Sequence, residues 1–303
     1  MAAGTPSASP PSAPQVRPVD HLLYPHPQDR PLAGAARPDH PFHLRLYACE
    51  FMGTVVLMLV GIVTNVLIGA AASPLAPKFA GHPVLRGGME GLLFGAGGTL
   101  AALSPFGRVS GGHVSPSVSF AFALASRLGW RDMVGYMLAQ CAGAVAGTAL
   151  LALAGRVFPV WGHWAVMDHY AGTIPNPAVP ASWPFMGEAG ATMLLIGGVL
   201  LTGSHAPLRW LTPFLSGPLF FLLNPFEAWL SGDSTNLARS LGPAVFSGQW
   251  HAFWIYCTAP FCGAALAVVL LVHTGLFGRV RVLEARVAHF GHHGRAPFLL
   301  PRI

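Results

Sequence analysis

Apolar residues dominate the chain in long blocks, and polar residues gather in the shorter stretches between them. Blocks at about 44–70, 84–104, 131–155, 183–203, 208–230 and 250–274 each hold enough residues for a helical crossing of the membrane, which takes about 20. The second block is rich in glycine (Gly87, Gly88, Gly91, Gly95, Gly97, Gly98), which lets helices approach closely. Pro213, Pro218 and Pro225 interrupt the fifth. Two stretches between blocks do not read as surface loops. In Ser231 to Pro243, Asn236 suits a helix N-cap, because its side-chain oxygen can accept a backbone N–H left free in the first turn. That short helix is expected over 236–247, with Gly248 closing it. In Ser110 to Ser119, Ser115 can cap and Pro116 suits the first helical position, with a helix over 115–127. Helices of this length reach about 15 Å, half the hydrocarbon core. Such segments between spans read as re-entrant, with their positive dipole ends near the midplane.

The blocks repeat. Glu50 and Thr54 lie four residues apart in the first span, as do Glu188 and Thr192 in the fourth. Each half has three spans and one capped half-helix, and an odd number of spans inverts the second copy. This is the inverted-repeat logic of membrane transport, which places the site at the midplane where the copies meet. The sequence therefore predicts an all-α membrane protein of six transmembrane helices and two re-entrant half-helices over 44–274. Residues 1–43 are rich in Pro, Ala and Ser, lack the apolar run of a signal peptide, and read as a disordered tail. Residues 275–303 read as a separate basic tail.

Composition agrees: 53% of residues are hydrophobic and only 9% charged, too apolar for an ordinary soluble protein. The net charge of +6 is scattered at the flanks of apolar runs, which suits a lipid bilayer and not nucleic acid. Most Lys and Arg fall in the tails and on the loops of one side, leaving Lys78, Arg86, Arg156 and Arg239 on the other. That bias predicts cytoplasmic termini. Use of Arg over Lys, with Lys78 the only lysine, points to a bacterial inner membrane. Cys49, Cys141, Cys257 and Cys262 read as small buried thiols, not as metal ligands or disulfides. His289, His292 and His293 read as solvated tail histidines, and no metal or cofactor is expected.

Ser110 to Val118 (Ser-Gly-Gly-His-Val-Ser-Pro-Ser-Val) and Asn236 to Val245 (Asn-Leu-Ala-Arg-Ser-Leu-Gly-Pro-Ala-Val) resemble the two signatures of the aquaporin and glycerol-facilitator family, the major intrinsic proteins. The resemblance extends to Glu50–Thr54, Tyr136 with Gln140 and Gly143, Glu188 with Thr192, and Trp254 to Ala264. Both central triplets depart from the family's Asn-Pro-Ala: the first is Ser115-Pro116-Ser117, the second Asn236-Leu237-Ala238. A literal Asn176-Pro177-Ala178 lies in the long connection 156–181; with Pro180 and Pro184 close behind, it reads as a loop turn.

The resemblance implies a passive channel for small uncharged polar solutes of the glycerol type, with or without water, and a homotetramer. The alternatives are a water-selective pore and a non-conducting scaffold or sensor with degraded signatures. It implies a narrow filter at Arg239, Asn224 and Asp233, with either Phe94 or Gly95 as the fourth position. Asp233 either pairs with Arg239 or sits at the wet mouth. Ser115 offers the pore a hydroxyl or caps its own helix, so the centre is expected to be asymmetric against Asn236. Glu50 and Glu188 are expected to hold the half-helix loops through backbone N–H groups, and His113 to position the first loop. No Ser/His/Asp, metal or phosphate-binding constellation is present in the sequence, so no enzyme is expected.

Overall fold

A computed structural model describes residues 42–274, 280–282 and 284–289. The predicted N-terminal tail, apart from its last two residues, lies outside them, as do His292 and His293. In order come α1 (Leu44–Gly69), a single turn α2 (Ala76–Phe79), α3 (Pro83–Leu103), α4 (Pro105–Ser110), α5 (Pro116–Leu124) and α6 (Trp130–Val157). Then follow α7 (Pro159–Met167), α8 (Ser182–Ser204), a 3-10 segment (Ala206–Phe214), α9 (Ser216–Glu227), α10 (Leu237–Ser247) and α11 (Trp254–Val268). A π turn, Val269–His273, extends α11. Among the described residues there is no strand. Four helices (α1, α6, α8 and α11 with its π turn) are long and apolar enough to cross a membrane by length and composition.

The two halves pack alike. The first span α1 lies on α6 and its counterpart α8 lies on α11. Half-helix α10 leans on α6, and half-helix α5 leans on α11. The remaining pair, α3 and α9, meets across the pseudo-twofold. Glycine makes that contact possible: a Cβ on Gly91 would strike the Phe220 carbonyl, and one on Gly95 would strike the Gly217 backbone. Gly143 faces the Phe51 carbonyl, and Gly263 faces the Ala189 carbonyl. Each of those glycines follows a tyrosine by seven residues, and each facing carbonyl follows a glutamate by one.

Several expectations need correction. The fifth span is not one α-helix over 208–230. The proline-bearing stretch 206–214 winds as a 3-10 helix, and α-helix starts only at Ser216. The first half-helix stops at Leu124, since Ser126 takes a left-handed φ of 55°. The connection 156–181 contains a helix, α7, started by Pro159. Cys257 and Cys262 are exposed, with Leu138, Leu153, Met186 and Leu266. An apolar exterior of this kind suits hydrocarbon as the surrounding solvent.

The predicted boundary at 274/275 also fails for the described part of the tail. Val280 and Val282 are buried in the same cluster as Val199, Leu200 and Leu271, while Arg281 between them is exposed. Buried His289 is likewise not a solvated tail residue. The alternation Val-Arg-Val is a period-two pattern, readable as an extended segment with one face inward.

Candidate pore

The site is built from two carboxylates. Glu50 is fully buried in α1. Its Oε1 accepts from Ser110 Oγ (2.6 Å) and His113 N (3.1 Å), and its Oε2 from Val114 N (2.8 Å) and Gln140 Nε2 (2.8 Å). Glu188 in α8 does the same work in the second half. Its Oε1 accepts from Ser231 Oγ (2.6 Å) and Ser234 N (2.8 Å), and its Oε2 from Thr235 N (2.8 Å). These bonds hold unusual backbone. Val114 (φ 44°) and Thr235 (φ 53°) are β-branched residues in the left-handed region, each immediately before a half-helix cap. Such strain costs about 1–3 kcal/mol per residue and persists only where the surroundings impose it. Tyrosines complete the clamp: Tyr136 OH donates to the Ser110 carbonyl (2.7 Å) and Tyr256 OH to the Ser231 carbonyl (2.5 Å).

The loops deliver α5 and α10 with their N-termini facing each other. Asn236 Oδ1 accepts from Ala238 N and Arg239 N, capping α10. Its Nδ2 donates to the Val114 carbonyl of the other loop (2.9 Å), leaving its second amide N–H over. By symmetry the reverse bond should come from Ser115, but a serine is too short. Ser117 Oγ donates to the Thr235 carbonyl instead (2.8 Å), and Ser115 Oγ bonds Ser117 Oγ (2.8 Å). Ser115 makes no side-chain cap to its own helix. The asymmetry expected from the sequence is present, with the missing asparagine replaced by a hydroxyl relay two residues on. His113 Nδ1 lies 3.1 Å from Ser119 Oγ, and the matching pair in the second loop is Ser234 and Ser240, 2.5 Å apart.

Between the loops runs a cavity that leaves ≈ 90 Å³ open to water-sized molecules, room for a short file of them. Of the two triplets, Ser115 and Asn236 line it, while Pro116, Ser117, Leu237 and Ala238 do not. Phe94 and Gly95 both line it. The Arg239 guanidinium stands 4.3 Å from the Phe94 ring centroid and donates from Nη1 to the Ala171 carbonyl (2.7 Å). That carbonyl is presented by three successive left-handed residues, His169, Tyr170 and Ala171.

Two expected filter residues are elsewhere. Asn224 is not on the wall of this cavity: its Nδ2 donates to the Gly87 carbonyl (2.7 Å), where the glycine face of α3 comes closest. Phe220, one turn earlier on α9, lines the cavity in its place. Asp233 neither pairs with Arg239 nor sits at a wet mouth. It is 7% exposed, off the cavity wall, and both carboxylate oxygens lack a hydrogen-bond partner. Glu227, which bonds Ser231 Oγ with one oxygen, has its other oxygen unpartnered. Sequence reasoning also missed Ala171, Phe220 and Val287. No local pattern marks the Ala171 carbonyl as the partner of Arg239 or the Phe220 ring as cavity-facing. Asn176 Oδ1 accepts from Ala178 N (2.9 Å), so the literal Asn-Pro-Ala is a loop turn. No group of His, Cys, Asp or Glu able to hold a metal occurs among the described residues.

Two half-helices end to end inside a bundle of membrane-crossing helices, with a cavity lined by both loops, are the build of a membrane channel. Comparison with known proteins agrees. The family model described as major intrinsic protein matches residues 39–271. A glycerol uptake facilitator protein-like 6 of Lactiplantibacillus plantarum is 31% identical over 228 residues, covering 74% of this chain and 95% of that protein. A probable aquaporin NIP7-1 of Arabidopsis thaliana is 30% identical over 250 residues, covering 76% and 82%. The X-ray structure of the aquaglyceroporin from Plasmodium falciparum superposes with a TM-score of 0.58 at 20% identity, over 75% of this chain and 94% of that one, a likeness of fold. The chain belongs to the major intrinsic protein family: it is a multi-pass membrane protein and a passive channel for water and/or small solutes, not an enzyme.

Proposed function

We propose that this channel passes glycerol-type solutes together with water. The observation that carries the reading is the mixed lining of the cavity. Phe94, Phe220, Leu195 and Val199 contribute apolar surface, and Asn236, Ser115 and Arg239 contribute polar groups. A polyol presents carbon on one side and hydroxyls on the other, so it can exchange hydration for donors without losing apolar contact. In this reading Arg239, held by Ala171 and stacked on Phe94, is the filter donor. Ser115 and Asn236 mark the pore centre. The facing helix N-termini exclude cations through their positive dipole ends. Glu50, Glu188 and His113 act only through the loops they hold.

The chain is proposed to sit in a bacterial cell membrane as a homotetramer, its termini cytoplasmic. The Arg bias of the tails supports that orientation.

Stopped-flow light scattering on proteoliposomes tests the reading, first with a sucrose gradient and then with glycerol. Glycerol re-swelling faster than in empty vesicles is the expected result. Accelerated water flux with no glycerol flux would favour a water-selective pore, and no flux of either kind a scaffold.

A further inference from the structure

We infer that residues 280–282 and 284–289 belong to a strap that throttles one mouth of the channel. The inference rests on the channel reading above. The strap is anchored at three points around that mouth. Val280 N donates to the Leu271 carbonyl at the end of α11 (3.0 Å). Val287 N donates to the Gly111 carbonyl, the residue that closes α4 just before the first pore loop (2.8 Å). His289 is buried beside Gly203 at the end of α8. Between these points Arg286, 2% exposed, donates from Nη2 to the Arg108 carbonyl (2.9 Å) and from Nη1 to the Ala288 carbonyl (3.3 Å), with Glu284 3.8 Å away. The Ala285 carbonyl lies 3.0 Å from His113 Nε2.

This segment is therefore part of the conduit. Val287 stands in the same cavity wall as Gly112, His113 and Ser115. An apolar side chain there narrows the mouth and offers a hydrated solute no donor or acceptor. The two backbone bonds, Arg286, the Ala285 carbonyl on His113 and the burial of Val280, Val282 and His289 hold the strap in place. The pore loops keep a separate clamp in Glu50 and Tyr136, so loosening the strap leaves that clamp intact.

The test compares the full-length protein with Arg286→Ala and Val287→Gly, each in proteoliposomes with glycerol as probe. Arg286→Ala removes the anchor and Val287→Gly removes the obstruction while keeping its backbone bond. Flux per channel is expected to rise about tenfold in Arg286→Ala, a shift of about 1.4 kcal/mol, within reach of a hydrogen bond from a charged group. A smaller rise in the same direction is expected for Val287→Gly, which decides the matter should Arg286→Ala fail to fold. Equal glycerol flux in all three proteins would overturn the strap and leave the channel standing. Absence of flux in all three would overturn both.

Discussion

The loops that lead into the two half-helices are built on one plan and finished differently. In register, Ser110 to Ser119 corresponds to Ser231 to Ser240. Left-handed backbone falls at the same places in both: Gly111 and Gly232, Gly112 and Asp233, Val114 and Thr235. A buried glutamate takes the same backbone donors in both, and a tyrosine takes the same carbonyl. The differences fall where solute would pass or where charge collects. Val118 on the first side answers to Arg239 on the second, and Ser115 to Asn236. Ser119 meets Gln140 from a helix (3.0 Å), whereas Ser240 meets Thr173 from the loop after α7 (2.7 Å). The first loop satisfies its one carboxylate with four donors. The second gathers Glu188, Glu227, Asp233 and Arg239 and leaves three carboxylate oxygens unpartnered. Support is thus shared by the halves, and chemistry is not.

The largest effect should come from removing the support itself. Glu50→Ala and Glu188→Ala each orphan two buried backbone N–H groups in strained loops. At about 1–3 kcal/mol per orphaned group, either loss costs on the order of 2–6 kcal/mol. Glu50→Ala is expected to be worse, because Gln140 also loses one of its two acceptors, while Glu188→Ala relieves repulsion on Glu227 and Asp233. Thermal unfolding midpoints in one detergent would rank them. A larger drop for Glu188→Ala would show that the crowded carboxylates in the second loop stabilise it.

Next in size is the exchange of chemistry between corresponding positions. Arg239→Ala removes a fixed positive charge from the cavity wall. Leak of protons or monovalent cations through proteoliposomes is expected to rise about 10–100-fold, the equivalent of about 1.4–2.8 kcal/mol of barrier. Val118→Ala, at the same place in the other loop, should change leak by less than about twofold, because no charge is lost. Equal leak from both variants would mean that the dipole ends, and not Arg239, carry the exclusion.

How much of this was legible in the sequence follows the same division. The half-helices, the Asn236 cap and the two glutamates could be read because each leaves a local mark: Asn236 before a helical run, Pro116 at the start of the other, Glu-x-x-x-Thr in both copies. The cavity lining could not be read in full. Counting back from Asn236 put Asn224 in the pore, but α9 starts only after a 3-10 segment, and the cavity-facing residue is Phe220, one turn earlier. The packing of the described tail residues left one short mark in the sequence, the Val280-Arg281-Val282 alternation, too brief to stand out from a basic tail. Nothing local marks Arg286 as buried, yet its guanidinium is held against backbone carbonyls.

A third comparison concerns pH and the loop that only the second half uses. Burial, with the charge of Glu90 beside it, raises the Asp168 carboxyl from 3.8 to about 7. Between those values the folded protein holds a proton that the unfolded chain releases. Stability therefore falls as pH rises from about 4 to about 7 and is level above that. Asp168→Asn should flatten the slope, read as unfolding midpoint against pH. An unchanged slope would place the titration elsewhere.

The smallest effect, and the sharpest use of the symmetry, is Asp233→Gly. It gives the second loop the residue that the first has in the matching left-handed position, Gly112 (φ 69° against 47° for Asp233). A buried carboxylate with neither oxygen satisfied costs about 1–3 kcal/mol. Glycine adds unfolded-state freedom worth about 0.5–1 kcal/mol but fits a positive φ without strain. The balance is a gain of about 1 kcal/mol, a rise of a few degrees in the unfolding midpoint. Because Asp233 is off the cavity wall, the ratio of glycerol to water flux should not move. A changed ratio would put this carboxylate back among the groups that a passing solute meets. A lower midpoint would mean that its long-range attraction to Arg239 outweighs its own desolvation.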